Sequence, residues 1–288
     1  MAAARTVLPK IFDLQGHRGA RALWPENTAR GIVAAAATGV TSIEIDVVLA
    51  ADGVPVLFHD LSLNPDIVRA LDGQWVRPGI VIAGLTADTL ATYDVGRLRP
   101  GSRTAARFRR QHAVDGAAIP RLTTICALAR AIPIRLDIEV KIDPAHASLA
   151  AFDVFARAIL AAIGSRCDTM GGGIGFSIRS FDWRFLRHIR ALCPTLPIAW
   201  LTADGANAEP GAVADEAGQG GWPAWTPVWA PSADTLRRRQ IDAAHDAGLA
   251  VKPWTVNAPS RMRQLIGWGV DGFCTDRPDL ALAALAGA

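Results

Sequence analysis

The feature that most constrains this chain is a repeated alternation. Short runs rich in β-branched and aromatic residues are separated by longer alanine-rich or amphipathic stretches. Candidate strands are IFDLQ from Ile11, SIEIDVV from Ser42, PIRLDIEV from Pro133, GIGFSI from Gly173, PIAWL from Pro197, PVWA from Pro227, AVKPWTV from Ala250 and DGFCT from Asp271. Between them ENTARGIVAAAATG, ASLAAFDVFARAILAAIG, FDWRFLRHIRAL, ADTLRRRQIDAAHDAG and SRMRQLIGWG read as helices, several closing at the glycine that C-terminal caps favour. A helix between two strands carries the chain back to its starting edge, so this succession predicts a parallel sheet. Eight such strands predict an α/β fold of the (β/α)8 TIM barrel type, whose active site lies at the C-terminal strand ends. Barrels of this kind reach 288 residues as one domain, so residues 11–284 are read as a single barrel domain.

One interval breaks the succession. Residues 61–118 are rich in Asp, Gly, Pro and Arg and hold no convincing long helix. A loop of that length in a compact domain is functional or carries a small subdomain, so it is read as an insertion after the second strand, lying over the barrel mouth. Its stretch RLRPGSRTAARFRRQH contains Phe108 as its one aromatic ring for base stacking, and it reads as a solvated face rather than a nucleic-acid site. The net charge of +3 is mild at this length and suits anionic small molecules better than nucleic acid. No run of eighteen apolar residues occurs, and MAAARTVLPK lacks the apolar centre of a secretory signal. The expectation is a protein without stable membrane insertion, monomeric or homodimeric and cytoplasmic, or periplasmic if an upstream signal was removed. Cys126, Cys167, Cys193 and Cys274 lack metal-ligand or redox spacing and read as buried thiols. Cys167 and Cys193 are the pair to test for a disulfide, which would favour an exported compartment.

The chemistry concentrates in Gly16-His17-Arg18-Gly19-Ala20 and in IEIDVVLAADGVPVLFHD, residues 43–60. Successive strand side chains alternate faces, so Ile43, Ile45 and Val47 separate from Glu44 and Asp46. The same alternation in LDIEVKI sets Asp137, Glu139 and Lys141 apart from four aliphatic residues. Acids converging inside a barrel are costly without a positive charge between them. A hard divalent cation, Mg²⁺ or Ca²⁺, answers that need, and arginines paired inside the barrel are the structural alternative. His17 and His59 each end an extended segment beside these acids and read as proton-transfer groups, with metal ligation as the alternative. Arg18 and Lys141 are cations suited to phosphate oxygens, although Lys141 could equally neutralise Glu139 or Asp137.

In sequence order GHRGA, PENT, EIDV, DGVPVLFHD, IPRL, EVK, SFD, WTVN and GVDGFCTDRP resemble the glycerophosphodiester phosphodiesterases across nearly the whole chain. The resemblance implies a metal-dependent (β/α)8 barrel that splits small-molecule glycerophosphodiesters into glycerol 3-phosphate and an alcohol. It implies Glu44, Asp46 and Glu139 as ligands of one divalent cation, His17 and His59 as the acid/base pair, and Arg18 and Lys141 as phosphate contacts. Glu26 and Asn27 would shape the site, although Pro25-Glu26-Asn27-Thr28 is also good helix-starting chemistry. Trp254 would wall the substrate pocket. Arg179 stands where the family often has glutamine, and an extra cation at the mouth would favour anionic diesters. A related barrel phospholipase would need an apolar mouth, for which Trp222, Trp225 and Trp229 are candidates. A protein that only binds such diesters would have no use for the histidine pair.

Overall fold

The computed structural model describes residues 12–164, 175–203 and 226–287. Among them the strands are β1 (Asp13–Gly16), β2 (Ser42–Leu49), β3 (Pro55–Leu57), β4 (Arg135–Val140), β5 (Phe176–Ser180), β6 (Ile198–Thr202), β7 (Val228–Pro231), β8 (Ala250–Val251) and β9 (Gly272–Thr275). Eight run parallel in the order β8-β7-β6-β5-β4-β2-β1-β9, while β3 folds back antiparallel on β2 through the Asp52-Gly53 turn. Backbone hydrogen bonds from Asp271 N to Val251 O, Cys274 N to Pro253 O and Val256 N to Cys274 O draw the two ends of the sheet together, giving a nearly closed barrel. The expected strand AVKPWTV is ladder-paired only at Ala250–Val251, because Pro253 has no N–H to donate.

The helices are α1 (Ala29–Ala37), α2 (Ala87–Leu90), α3 (Arg103–Arg107), α4 (Leu122–Ala131), α5 (Leu149–Ile163), α6 (Trp183–Leu192), α7 (Arg238–Asp246), α8 (Pro259–Gly267) and α9 (Pro278–Ala286). The outward strand residues, among them Ile43, Ile45, Leu136, Ile138 and Ile178, are fully buried against Ile32, Ile125, Ile159 and Phe185 of the surrounding helices. The hydrophobic core is therefore a shell between barrel and helices.

Inside the barrel the side chains from β1, β2, β4 and β5 are polar, while Ala199, Leu201 and Ala230 of β6 and β7 line the other side. At the N-terminal end Asp13 accepts from Thr41 Oγ1 (2.7 Å), Ser42 Oγ (2.8 Å) and Lys252 Nζ (2.5 Å), and pairs with Arg135. Burial alone would raise its pKa, but Lys252 and Arg135 hold it down at about 2. In the next layer Gln15 Nε2 donates to Asp137 Oδ2 at 3.1 Å, and Ser177 Oγ donates to Asp137 Oδ1 at 2.8 Å. Arg179 Nη1 lies 3.2 Å from both Gln15 Oε1 and Asp137 Oδ2.

Two expectations change here. Arg179 does not stand at the mouth: paired in register with Glu139 on β4, it points into the barrel and is 1% exposed. It is the counter-ion of Asp137, so it presents no free cation to a leaving group. Asp137 in turn is structural, and for it the arginine-paired alternative holds.

Segment 61–118 has a small apolar core of its own. Leu63, Ile67, Val68, Ile82, Leu90 and Val95 cluster with Val48, Val56 and Phe58 of the β2–β3 hairpin region. Its end packs on the loop that leaves β1: His112 N donates to Leu23 O (2.8 Å), Gln111 Nε2 donates to Arg21 O (2.8 Å), and the His112 ring lies 5.0 Å from Trp24. Phe108 is buried, with the guanidinium groups of Arg21 and Arg107 at 5.0 and 5.2 Å from its ring, so it offers no platform for a base. Cys126 and Cys274 are free and buried, whereas Cys193 is disulfide-bonded and not the free thiol expected; Cys167 lies outside the described residues, as do Trp222 and Trp225. Trp229 is buried, its Nε1 donating to Thr202 Oγ1 at 3.0 Å, and contributes nothing to an apolar mouth. No helix among the described residues is long and apolar enough to cross a membrane.

Candidate active site

The loop after β1 begins at a position where only glycine fits: a Cβ on Gly16 would lie 2.0 Å from the Gly19 carbonyl oxygen. Arg18 and Gly19 then turn back with positive φ (51° and 91°), and His17 N bonds to Thr275 O at 2.8 Å. This tight return places His17 at the C-terminal end of the barrel with its ring buried.

His17 Nδ1 lies 2.6 Å from Asp276 Oδ1, and its Nε2 faces the acids, 3.8 Å from Glu44 Oε2. Burial pushes the imidazole pKa down to about 4, against the opposing pull of Asp276. Asp276 is itself clamped: Arg21 Nε donates to Oδ1 (2.7 Å), Asn257 Nδ2 donates to Oδ2 (2.7 Å), and its backbone N donates to Asn257 Oδ1 (2.9 Å). Burial would raise this carboxyl, yet His17 and Arg21 hold it well below the usual range. His59 is more open but repeats the device, with Nδ1 2.6 Å from Asp60 Oδ1 and Asn64 Nδ2 donating to Asp60 Oδ2 at 3.0 Å. Both imidazoles therefore rest their Nδ1 on a carboxylate and leave Nε2 free to work.

Strand register sets Asp46 beside Glu139 and Glu44 beside Asp137. Ligand oxygens of Glu44, Asp46 and Glu139 all come within 4.8 Å of one another, and all three residues are buried. Burial, then the charges of Asp46 and Glu139, push Glu44 well above the ordinary carboxyl range. Asp46 would also be raised by burial, but Arg18 and Lys141 hold it far below. Glu44 Oε2 accepts from the Arg18 backbone N at 2.9 Å, whereas Glu44 Oε1 is buried with no hydrogen-bond partner.

The two cations lie on these acids. Arg18 Nη1 donates to Glu26 Oε1 (2.8 Å) and its Nε lies 3.0 Å from Asp46 Oδ2. Lys141 Nζ lies 3.0 Å from Asp46 Oδ1 and pairs with Glu139. Asn27, at φ 54°, grips Asp46 twice: Nδ2 donates to its Oδ2 (2.9 Å), and Oδ1 accepts from its backbone N (3.0 Å). Thr28 Oγ1 meanwhile caps α1 by accepting from Gly31 N at 3.0 Å, so PENT both shapes the site and starts a helix. Trp254, just beyond β8, is half-buried; its Nε1 donates to Ala230 O (3.0 Å) and its ring meets Phe181 edge-on at 5.4 Å. Phe181 follows β5 and is 44% exposed, so the two rings form an aromatic wall at the strand ends.

Thus His17, Glu44, Asp46, Glu139, Arg18, Lys141, Glu26 and Asn27 form one contact network, with both imidazoles bearing electrostatically on Asp46. Motif reasoning passed over Asp60, Asp276, Asn257 and Arg21. Asp60 directly follows His59, which was a usable signal; Asp276 and Asn257 lay inside quoted motifs with nothing local to mark their partners.

Comparison with known proteins bears on the whole chain. A family model described as "Glycerophosphoryl diester phosphodiesterase family" matches residues 17–280. A Mycobacterium tuberculosis protein named probable glycerophosphodiester phosphodiesterase 2 is 28% identical over 275 residues, 92% of this chain and 87% of its own. The chain spans 11% of the human glycerophosphoinositol inositolphosphodiesterase, to which it is 47% identical over 57 residues, or 20% of this chain. A crystal structure from Silicibacter pomeroyi DSS-3, of a protein assigned to glycerophosphoryl diester phosphodiesterases, superimposes with a TM-score of 0.84 at 32% identity, covering 97% of this chain and 95% of that one. An Oleispira antarctica phosphodiesterase solved with the product sn-glycerol-3-phosphate shares the fold at a TM-score of 0.71 and 21% identity, covering 95% and 96%.

Proposed function

Because the chain belongs to the glycerophosphoryl diester phosphodiesterase family, we propose that it hydrolyses glycerophosphodiesters to glycerol 3-phosphate and an alcohol, with a divalent cation and a histidine acid/base pair. The observation that carries this reading is the pairing of two carboxylate-backed imidazoles with a buried cluster of three carboxylates. The family relationship supplies the reaction class, and the product named for the Oleispira neighbour is the one this reaction yields.

Glu44, Asp46 and Glu139 fit a hard cation: all their donors are oxygens, and Glu44 Oε1 is an orphaned buried acceptor that such an ion would satisfy. Mg²⁺ or Ca²⁺ held there supplies Lewis-acid polarisation of a nonbridging phosphoryl oxygen. The carboxylates of Asp276 and Asp60 favour the proton on Nδ1 of each imidazole, so Nε2 is the atom that exchanges protons with substrate. One histidine removes the proton of the nucleophile, either water or the neighbouring glycerol hydroxyl, and the other delivers a proton to the departing alcohol oxygen; where the glycerol hydroxyl attacks, water then opens the cyclic phosphate to glycerol 3-phosphate. Arg18 and Lys141, now neutralising Asp46 and Glu139, turn part of their charge to the phosphate. Trp254, with Phe181, walls the organic part of a small-molecule substrate.

Release of glycerol 3-phosphate from a panel of glycerophosphodiesters tests the reading. His17→Ala and His59→Ala should each abolish turnover in a folded protein, and EDTA should remove activity that Mg²⁺ or Ca²⁺ restores. Wild-type turnover in either variant overturns the acid/base assignment, and full activity after exhaustive chelation overturns the cation.

A further inference from the structure

We infer that the floor of this site also forms a soft-metal site, in which His17 Nε2, Glu44 and the Cys274 thiol take up Zn²⁺ or Cd²⁺. The ligand atoms of these three residues all lie within 4.8 Å of one another, and all three residues are buried. The β1–β9 register sets Cys274 beside Gln15 and Thr275 beside Gly16, so Cys274 stands on the inward face one layer beneath His17. Two further observations point to a ligand. Glu44, 1% exposed, carries an oxygen, Oε1, with no hydrogen-bond partner. His17 is already braced from behind, its Nδ1 on Asp276 at 2.6 Å, in the carboxylate–histidine arrangement that backs zinc-bound imidazoles.

Donor chemistry separates this set from the carboxylate cluster. Glu44, Asp46 and Glu139 offer oxygen alone and suit a hard ion. His17, Glu44 and Cys274 offer nitrogen, oxygen and sulfur, the mixture that borderline and soft ions prefer, with a fourth position left for water. The spacing of cysteines along the chain could not reveal this, because the three donors come from three separate segments. Loading is a proton exchange without redox change: the Cys274 S–H bond breaks, an S–metal bond forms, and the proton leaves to solvent. Burial and Glu44 both disfavour the free thiolate, so the incoming ion must supply the compensating charge, and the nearby Arg179 guanidinium assists.

The two sets share Glu44, so a bound soft ion occupies a ligand of the hard one and the Nε2 of His17. That inhibitory consequence rests on the function proposed above, whereas the binding itself does not. The experiment adds Cd²⁺ to the whole protein in Mg²⁺-free buffer and reads the ultraviolet thiolate-to-cadmium absorption, with Zn²⁺ affinity measured by calorimetry. Wild type should show the band saturating at one ion per chain, and Cys274→Ser and Cys274→Ala should lose it and bind Zn²⁺ at least about tenfold more weakly. In excess Mg²⁺, Zn²⁺ should inhibit wild type, and the variants should match its zinc-free turnover but resist by a similar factor. No band in wild type, or an unchanged band and Zn²⁺ affinity in both variants, overturns the site. A Cys274-dependent band with turnover untouched by Zn²⁺ keeps the site and overturns the roles given to Glu44 and His17.

Discussion

Replacing Asn27 isolates how much of the site is held by a single strained residue. Its backbone sits at φ 54°, a region that asparagine tolerates and alanine does not, at a cost of about 1 kcal/mol. Its side chain makes one charge-assisted bond to Asp46 Oδ2, worth about 1.5–3 kcal/mol, and removing it also leaves the buried Asp46 N–H without its acceptor, costing about 1–3 kcal/mol more. Asn27→Ala should therefore destabilise the protein by about 3–5 kcal/mol, allowing for relaxation between neighbouring groups. Asn27→Gly loses the same side chain but not the backbone conformation, so it should be about 1 kcal/mol more stable than the alanine variant. Urea unfolding followed by tryptophan fluorescence measures both differences from midpoints at constant slope. The reasoning is refuted if Asn27→Ala lies within about 1 kcal/mol of wild type, or if the two variants coincide, since the grip on Asp46 would then contribute little.

Three further outcomes follow from the same geometry. Asp13 has a folded pKa of about 2 against an ordinary 3.8, so it contributes about 2 kcal/mol that is present above pH 3.8 and lost as the pH falls through about 2. Asp13→Asn should flatten the stability curve across that window and, by stranding Lys252 and Arg135, cost about 3–5 kcal/mol at neutral pH in denaturant titration. Asp276→Asn should lower kcat at least about a hundredfold with little change in KM, because it upsets the imidazole tautomer rather than substrate binding, and should also lower the melting temperature by stranding Arg21; steady-state release of glycerol 3-phosphate by the folded variant would show the first and thermal unfolding the second. Gly16→Ala forces a Cβ to 2.0 Å from a backbone oxygen and should leave no soluble folded protein, as circular dichroism and expression yield would reveal.

The barrel was legible because strand-length runs with period-two alternation admit few architectures once eight of them alternate with helices. The acids were legible because charge on the inward face of a strand calls for compensation. What alternation could not do is tell Glu139 from Asp137: both face inward, and what separates a ligand candidate from a structural ion pair is the reach of Arg179, which stands beside Glu139 in the register of β5 but extends its guanidinium to Asp137. The same limit misplaced Arg179, whose proximity to SFD suggested the mouth. Asp276 was invisible for a different reason, because its partner His17 lies 259 residues away and no local pattern announces a contact of that range. Helices α4 and α9 also stand around the barrel, although they were not among the helical stretches named from the sequence.

The polar interior of the barrel sets stability and performance against each other. Asp137 and Arg179 bury charge, and Gln15 a polar amide, where aliphatic side chains of similar bulk would pack, and replacing a buried ionic group by hydrophobic residues is often stabilising. A laboratory selection for heat resistance alone would thus tend to turn this column to oil, and in doing so would remove the positive charge that Arg179 places beneath Glu44 and Glu139. The sturdiest descendants of such a selection would be those with the least balanced set of acids above, so thermal ranking and catalytic ranking of its variants should run in opposite directions.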